Sequence, residues 1–219
     1  MIDLHTHTFF SDGTLCPAEL IQRAEDKGLT AVALTDHGDP SNLELLLARI
    51  TSGLRELRGF HHIRALAGVE LTHVPPRLIA LLTRRARELG AEVVVVHGET
   101  IVEPVPKGTN MAALEAGVDV LAHPGLLTAE EARLAAKNGV LLELSGRAGH
   151  CFGNGRVAWL AREAGARLVI NSDAHASRDL IDGAMASKIG LGAGLSEAEL
   201  GAVFENAKKF VERVISRQA

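Results

Sequence analysis

Ile2-Asp3-Leu4-His5-Thr6-His7-Thr8-Phe9-Phe10-Ser11-Asp12-Gly13 is the stretch around which the chain is organised. A short apolar strand runs into His-x-His, and because strand side chains repeat every second residue, both imidazoles share one face. Two such imidazoles reach one metal ion, and Asp12 adds a carboxylate at the mouth of the next loop. His-x-His by itself arises by coincidence, so the weight of the reading rests on how often its context recurs.

It recurs along the whole chain. His37 follows Ala-Val-Ala-Leu-Thr-Asp, His97 follows Val93 to Val96, His123 follows Val-Leu-Ala, and Asp173-Ala-His175 follows Leu-Val-Ile-Asn-Ser. Glu70, which closes Leu-Ala-Gly-Val, is the carboxylate counterpart. Each candidate sits just past the end of a short apolar run, the position that ends a buried strand.

Between these runs the sequence reads as helices. Pro17 opens one that ends at Gly28; Ser41 or Asn42 caps a second through about Arg58; Pro75 or Pro76 opens a third that ends at Gly90. A short helix is expected at about 111–116, after a connection containing Pro104, Pro106 and Lys107. Thr128 with Glu131 forms a capping box for a helix to Asn138, and Ser196 with Glu199 starts a last one to about Arg217. Arg156 to Ala164 is helical, with Trp159 read as core. The strands, a first one running into His-x-His and others at 31–34, 63–69, 92–96, 119–122, 140–144 and 167–171, are continuous apolar runs, the pattern of parallel strands covered by helices.

These units imply an α/β fold, and the candidate ligands decide between an open sheet and a closed one. Neighbouring strands lie about 4.8 Å apart, so ligands on nearly every strand would be smeared over roughly 25 Å in an open sheet. Metal–ligand bonds are only about 2 Å long. A closed ring brings the carboxyl ends of all strands to one place. The expectation is one domain over 1–219, a seven-stranded (β/α)7 barrel with its metal site at the C-terminal ends of the strands.

Bulk properties narrow the partners. A chain of 219 residues with 47% hydrophobic and 23% charged content is ordinary for a globular domain, and its net charge of -4 offers no basic groove for nucleic acid. Arg84-Arg85-Ala86-Arg87 reads as a solvated helix face. The N-terminus lacks a basic region followed by an apolar stretch, and no apolar run approaches the roughly 18 residues that cross a bilayer. The expectation is a cytoplasmic protein without a membrane partner, with Cys16 and Cys151 as free thiols.

As a set, Asp3-Leu4-His5-Thr6-His7, Ser11-Asp12-Gly13, Leu34-Thr35-Asp36-His37, Gly68-Val69-Glu70, Val96-His97, Ala122-His123-Pro124 and Ser172-Asp173-Ala174-His175 resemble the polymerase-and-histidinol-phosphatase superfamily, the PHP domain. The resemblance spans nearly the whole chain and points to a stand-alone, histidinol-phosphatase-like member. It implies a distorted seven-fold barrel with two or three divalent ions. By position it implies one ion held by His5, His7, Glu70 and Asp173, a second by Glu70, His97 and His123, and a third by Asp12, His37 and His175. Glu70, Asp173 and His175 are then also the catalytic candidates. Some relatives have histidine where this chain has Asp12.

The donor chemistry agrees. Imidazole and carboxylate without thiolate suit zinc, manganese or iron, and affinity order alone does not choose among them. Three such ions carry six positive charges against the three carboxylates of Asp12, Glu70 and Asp173, so an anionic substrate such as a phosphate ester is favoured. A divalent ion supplies a hydroxide nucleophile near neutral pH and steadies the oxygens of an in-line displacement. Asp36, pointing away by alternation, and Glu143, inside a strand, are read as residues that orient ligands.

Other residues are candidates for substrate. Arg147 and His150 share the glycine-rich loop 145–155, which suits a phosphate, and Arg178 lies three residues past His175 on the same rim. Glu99, Lys107 and His73 have no assigned role, and His61 and His62 belong to the end of the barrel away from the metals. The expected function is hydrolysis of a small phosphomonoester, with L-histidinol phosphate as the substrate the resemblance suggests. A metal-dependent nuclease or nucleotide phosphodiesterase is one alternative, and a non-catalytic metal-binding module is another.

Overall fold

The computed structural model describes residues 1–217. Seven parallel strands form the main sheet: β1 (Ile2–Thr6), β2 (Ala31–Leu34), β4 (Arg64–Leu71), β5 (Val93–His97), β6 (Val120–Ala122), β7 (Leu141–Ser145) and β8 (Leu168–Asn171), paired in that order. The short β3 (His37–Gly38) extends the line of β2 and pairs with β4 opposite Glu70 and Leu71. The α-helices are α1 (Pro17–Asp26), α2 (Leu43–Leu57), α3 (Pro76–Glu88), α4 (Thr109–Ala116), α5 (Ala129–Asn138), α6 (Asn154–Ala164), α7 (Gly183–Gly192) and α8 (Glu197–Ser216), with short 3-10 turns at His150–Gly153 and Ser177–Asp179.

The sheet is a nearly closed barrel. At its rim β1 and β8 meet through a parallel bridge between Thr6 and Ala174, with Asp173 N donating to His5 O at 3.0 Å and His7 N to Ala174 O at 2.8 Å. Lower down, side chains stitch the seam. Leu4 N donates to Asn171 Oδ1 at 2.9 Å, and Ser172 N donates to the Asp3 carboxylate at 3.2 Å. Asp3 is fully buried, and that burial pushes its carboxyl up to about 6.

Two cores result. Outward side chains such as Val32, Val69, Val94, Leu121 and Leu142 pack under the helices. Inward ones, Leu4, Ala31, Leu66, Val93, Val95, Val120, Leu141 and Val169, fill the barrel and are completed by Ala207, Phe210, Val211 and Val214 of α8. Helix α8 lies against β1 and β8, so the longest helix covers the seam that backbone pairing leaves open. Each fully buried Val, Leu or Phe contributes about 1.5–3 kcal/mol. The interior therefore has an apolar lower layer and leaves its upper layer to polar residues.

A bulge in β1 sets up that upper layer. The register against β2 shifts between Asp3 and Thr6, where three residues span two of the partner strand. The extra residue lets Leu4 pack in the apolar interior while His5 and His7, beyond the bulge, also face inward.

Several local expectations differ from the structure. Helix α4 begins at Thr109, two residues earlier than expected. Asn42 occupies the N-cap of α2, but its side chain closes the preceding loop instead, donating to His37 O and accepting from Asp39 N. Trp159 lies on the exposed face of α6. Helix α7 was not expected at all: it is rich in Gly and Ala and has little apolar periodicity, although Asp182 caps it by accepting from Met185 N. Gly190 permits its close approach to α8, since a Cβ there would lie 2.3 Å from Leu200. The capping boxes of α5 and α8 are both formed. Among the described residues, no helix is long and apolar enough to cross a membrane.

Candidate metal centre

Every strand of the upper layer delivers its polar residue to the same end of the barrel. His5 and His7 come from β1 and the turn after it, His37 from β3, Glu70 from β4, His97 from β5, and His123 from the turn after β6, while Asp173 and His175 follow β8. Among the described residues, the three non-glycine positions with positive φ, His73, His123 and Asp173, all belong to this region. Such backbone strain persists only where the surroundings fix it, and it collects at functional sites.

The deepest group contains His5, His7, Glu70 and Asp173, all buried. His5 Nε2 lies 3.3 Å from Glu70 Oε1 and 3.7 Å from Asp173 Oδ1; His7 Nε2 lies 3.3 Å from Asp173 Oδ1 and 3.7 Å from Glu70 Oε2. Donors around one tetrahedral ion with bonds of about 2.1 Å stand about 3.4 Å apart, so this spacing suits a shared cation. His5 Nε2, both nitrogens of His7, Glu70 Oε1 and His123 Nδ1 are buried without a hydrogen-bond partner. Buried polar atoms are rarely left so, and a metal ion satisfies them. His123 joins the group from above, with Nε2 3.7 Å from both Glu70 Oε1 and Asp173 Oδ2.

A second group surrounds Asp12. Its Oδ1 is 3.2 Å from His175 Nε2, 3.3 Å from His37 Nε2 and 3.9 Å from His7 Nδ1. Asp36 holds this loop rather than the ions: its carboxylate accepts from Thr8 N, Thr8 Oγ1, Ser11 N and Ser11 Oγ at 2.7–3.1 Å. Glu143 works from below, accepting from His5 Nδ1 at 2.8 Å, Asn171 Nδ2 at 2.8 Å and His123 N at 3.3 Å. A third group brings His97, His123 and His150 within reach of one ion.

Charge in the protein alone is balanced by protons. Burial works against ionisation of His5, but the Glu143, Glu70 and Asp173 carboxylates outweigh it and hold its pKa well above the ordinary value. Burial likewise opposes protonation of His37, yet Glu70 and Asp12 raise it to about 10. Glu70 is held well below the carboxylate range, its burial overcome by His5 and His37. Burial pushes Asp173 up and pushes His7, His97 and His123 down, which favours the uncharged imidazole that a metal ion needs. The positive charge on His5 and His37 stands where cations would otherwise neutralise Glu70.

Above the ligands lies a cavity of about 270 Å³, lined by Asp12, His37, Glu70, His97, His123, Asp173 and His175 together with Thr72, His73, Glu103, Arg147 and His150. Arg147 stands on its rim, donating from Nη1 to Asp173 O at 3.2 Å, an oxygen that His175 Nδ1 also approaches at 3.0 Å. The structure brings His150 to the histidine group, whereas sequence reasoning placed it on substrate. It does not bring Arg178, which is 88% exposed and pairs with Asp179 outside the cavity lining. Glu99 accepts from Gly108 N and Asn110 N and thereby shapes the start of α4. Lys107 lines a separate groove. A larger cavity of about 530 Å³ lies at the N-terminal ends of the strands beside His61 and His62.

Glu103 is the residue that sequence reasoning missed. It sits between β5 and α4 in an irregular segment with no periodicity to mark it, yet its carboxylate reaches His73, His97 and His150.

Residues 3–139 match the PHP domain family. An uncharacterized protein of Methanocaldococcus jannaschii is 49% identical over 200 residues, covering 90% of this chain and 92% of that protein. A probable phosphatase of Shewanella pealeana is 31% identical over 217 residues, covering 86% and 83%. Two solved structures share the fold. A histidinol phosphate phosphatase of Lactococcus lactis, complexed with zinc, L-histidinol and phosphate, superposes with a TM-score of 0.64 at 15% identity, covering 89% of this chain and 94% of that one. A chain of an archaeal ribonuclease P with mature tRNA superposes with a TM-score of 0.73 at 17% identity, covering 98% and 91%. The matched span, the curated relatives and the barrel agree, and the chain belongs to the PHP domain family.

Proposed function

We propose that this chain, a metal-dependent phosphohydrolase, acts as one PHP-type module on a small phosphomonoester, with L-histidinol phosphate the first substrate to test. The observation that carries the reading is the set of buried, unpartnered imidazole and carboxylate atoms under a cavity whose rim bears an arginine.

The donors fit two or three divalent ions of the zinc, manganese or iron kind, held by His5, His7, Glu70 and Asp173, by His97 and His123, and by Asp12, His37 and His175. When bound, such ions supply Lewis acidity and a nucleophile ionised near neutral pH. The protein's own residues do the positioning. Glu143 fixes the His5 ring, Asp36 fixes the loop that carries Asp12, and Asp173 O fixes the Arg147 guanidinium. Arg147 lines the cavity, and the N–H groups not used on Asp173 O suit a phosphate oxygen.

The test is phosphate release from L-histidinol phosphate, an aryl phosphate and a nucleotide diester, with zinc or manganese supplied. A kcat/KM on the order of 10⁴ M⁻¹s⁻¹ or more for L-histidinol phosphate alone supports the substrate assignment. Comparable weak rates on both monoesters keep the phosphatase and discard that substrate. A preference for the diester replaces the reading with a nuclease or phosphodiesterase.

A further inference from the structure

The cavity of about 530 Å³ lies at the end of the barrel away from the candidate metal ligands. It is lined from α1, α2, the loop 58–63, the start of β4 and the residues before β5. Arg64 on its wall stands six residues before Glu70 on β4, or about 20 Å away at roughly 3.3 Å per residue. The volume is that of a small-molecule site, and so is the mixture of apolar wall and few polar groups. Ile21, Ile63 and Ala67 are buried in it, and Leu54, Leu57 and Ala65 are half-buried beside them. Thr51 Oγ1 is buried in the same wall without a hydrogen-bond partner.

The carboxylates at this end are already committed to holding the wall. Glu25 of α1 accepts from His62 N at 2.7 Å and binds His61 Nδ1 at 3.1 Å, which pins the loop 58–63. Glu92 accepts from Arg64 Nη2 at 2.9 Å and from Ala67 N at 2.7 Å, which pins the start of β4. Arg55 and Arg58, one helical turn apart at the end of α2, also line the cavity, and among the described residues neither side chain has an ion pair. Like charges at this spacing repel. The C-terminal ends of α2 and α3 carry roughly half a negative charge each, so two guanidinium groups leave the mouth net positive.

We propose that this cavity binds a small organic anion with an apolar body, its charged group taken by Arg55 and Arg58 and its body laid on Leu54, Leu57 and Ile63. Guanidinium groups hold carboxylate or phosphate oxygens through paired N–H donors, and an anion between the two arginines removes their repulsion. The apolar wall selects against a bare inorganic ion, and the unpartnered Thr51 hydroxyl gives the site a further polar contact. The pinned loop and strand make the site preformed. The inference is independent of the phosphohydrolase reading, because the site shares no residue with the metal centre.

The test is fluorescence titration of the full metal-loaded chain with anilinonaphthalene sulfonate, beside phenylnaphthylamine, which has the same rings without the charge. One equivalent of the sulfonate should bind. Arg55→Gln with Arg58→Gln should weaken it at least about tenfold, as loss of charge-assisted contacts implies, while leaving the uncharged probe and phosphate release unchanged. Both arginines are exposed, so the fold should tolerate the change, and denaturant titration checks it. Ala65→Leu, which narrows the cavity and keeps both arginines, should weaken both probes. Sulfonate affinity that is unchanged in the arginine variant or in Ala65→Leu overturns the site. So does sulfonate binding that is lost in Arg147→Ala, since the anion would then occupy the metal cavity, or equal affinity for the two probes in wild type.

Discussion

His5 Nδ1 lies 2.8 Å from Glu143 Oε2, and this one hydrogen bond decides what the other face of the ring can do. With Nδ1–H committed to the carboxylate, Nε2 is the nitrogen that faces Glu70 and Asp173 and would be left free to bind an ion that displaces its proton. Partners of this kind set both the tautomer and the basicity of a ligand.

Glu143→Gln should therefore weaken metal binding roughly 10–100-fold while leaving the ligands themselves in place. Competition with a chelator of known affinity measures it. An unchanged affinity would mean that Glu143 serves only to hold Asn171 and His123.

Arg147→Ala should mainly raise KM for a phosphorylated substrate, because the guanidinium is held at the rim by Asp173 O rather than among the deep ligands. Loss of one charge-assisted contact is worth about 1.5–3 kcal/mol, so KM should rise by at least about tenfold. Steady-state kinetics check this, and an unchanged KM would remove the arginine from substrate binding.

The same structure shows why part of the molecule was readable from sequence and part was not. Ligands such as Glu70 and His97 could be found because each closes a continuous apolar run, and a parallel barrel sends all such ends to one rim. The β1–β8 seam could not be read. Its partners, Leu4 with Asn171 and Asp3 with Ser172, are far apart in sequence, and they join through side chains that no strand pattern encodes. Helix α7 escaped because Gly and Ala give no apolar stripe. Glu103 escaped because its position is set by the path of an irregular segment, not by the phase of a strand.

Phe210→Ala should destabilise the fold by about 3–5 kcal/mol, since Phe210 is a large side chain by which α8 fills the interior beside the β1–β8 seam. Denaturant titration reads this. A loss below about 1 kcal/mol would mean that the seam holds without the helix.

Acid should act on α8 through Glu199. Its hydrogen bonds from Arg162 and from the Ser196 backbone and hydroxyl hold the carboxyl at about 2, below the ordinary 4.5. A depressed carboxylate contributes stability above its unfolded value and loses it as pH falls through the folded one. The difference in Tm between wild type and Glu199→Gln should be constant above about pH 5 and should close between about pH 4.5 and 2. A difference that does not change with pH would contradict the assignment.

The most direct test of the centre is phosphate release by the chelated protein, by the same protein after zinc or manganese is restored, and by His123→Ala. The account predicts no turnover after chelation, recovery on adding metal, and no turnover in His123→Ala with the fold intact by circular dichroism. Full activity in the chelated protein, or normal turnover in His123→Ala, would contradict a metal-dependent centre built on these histidines.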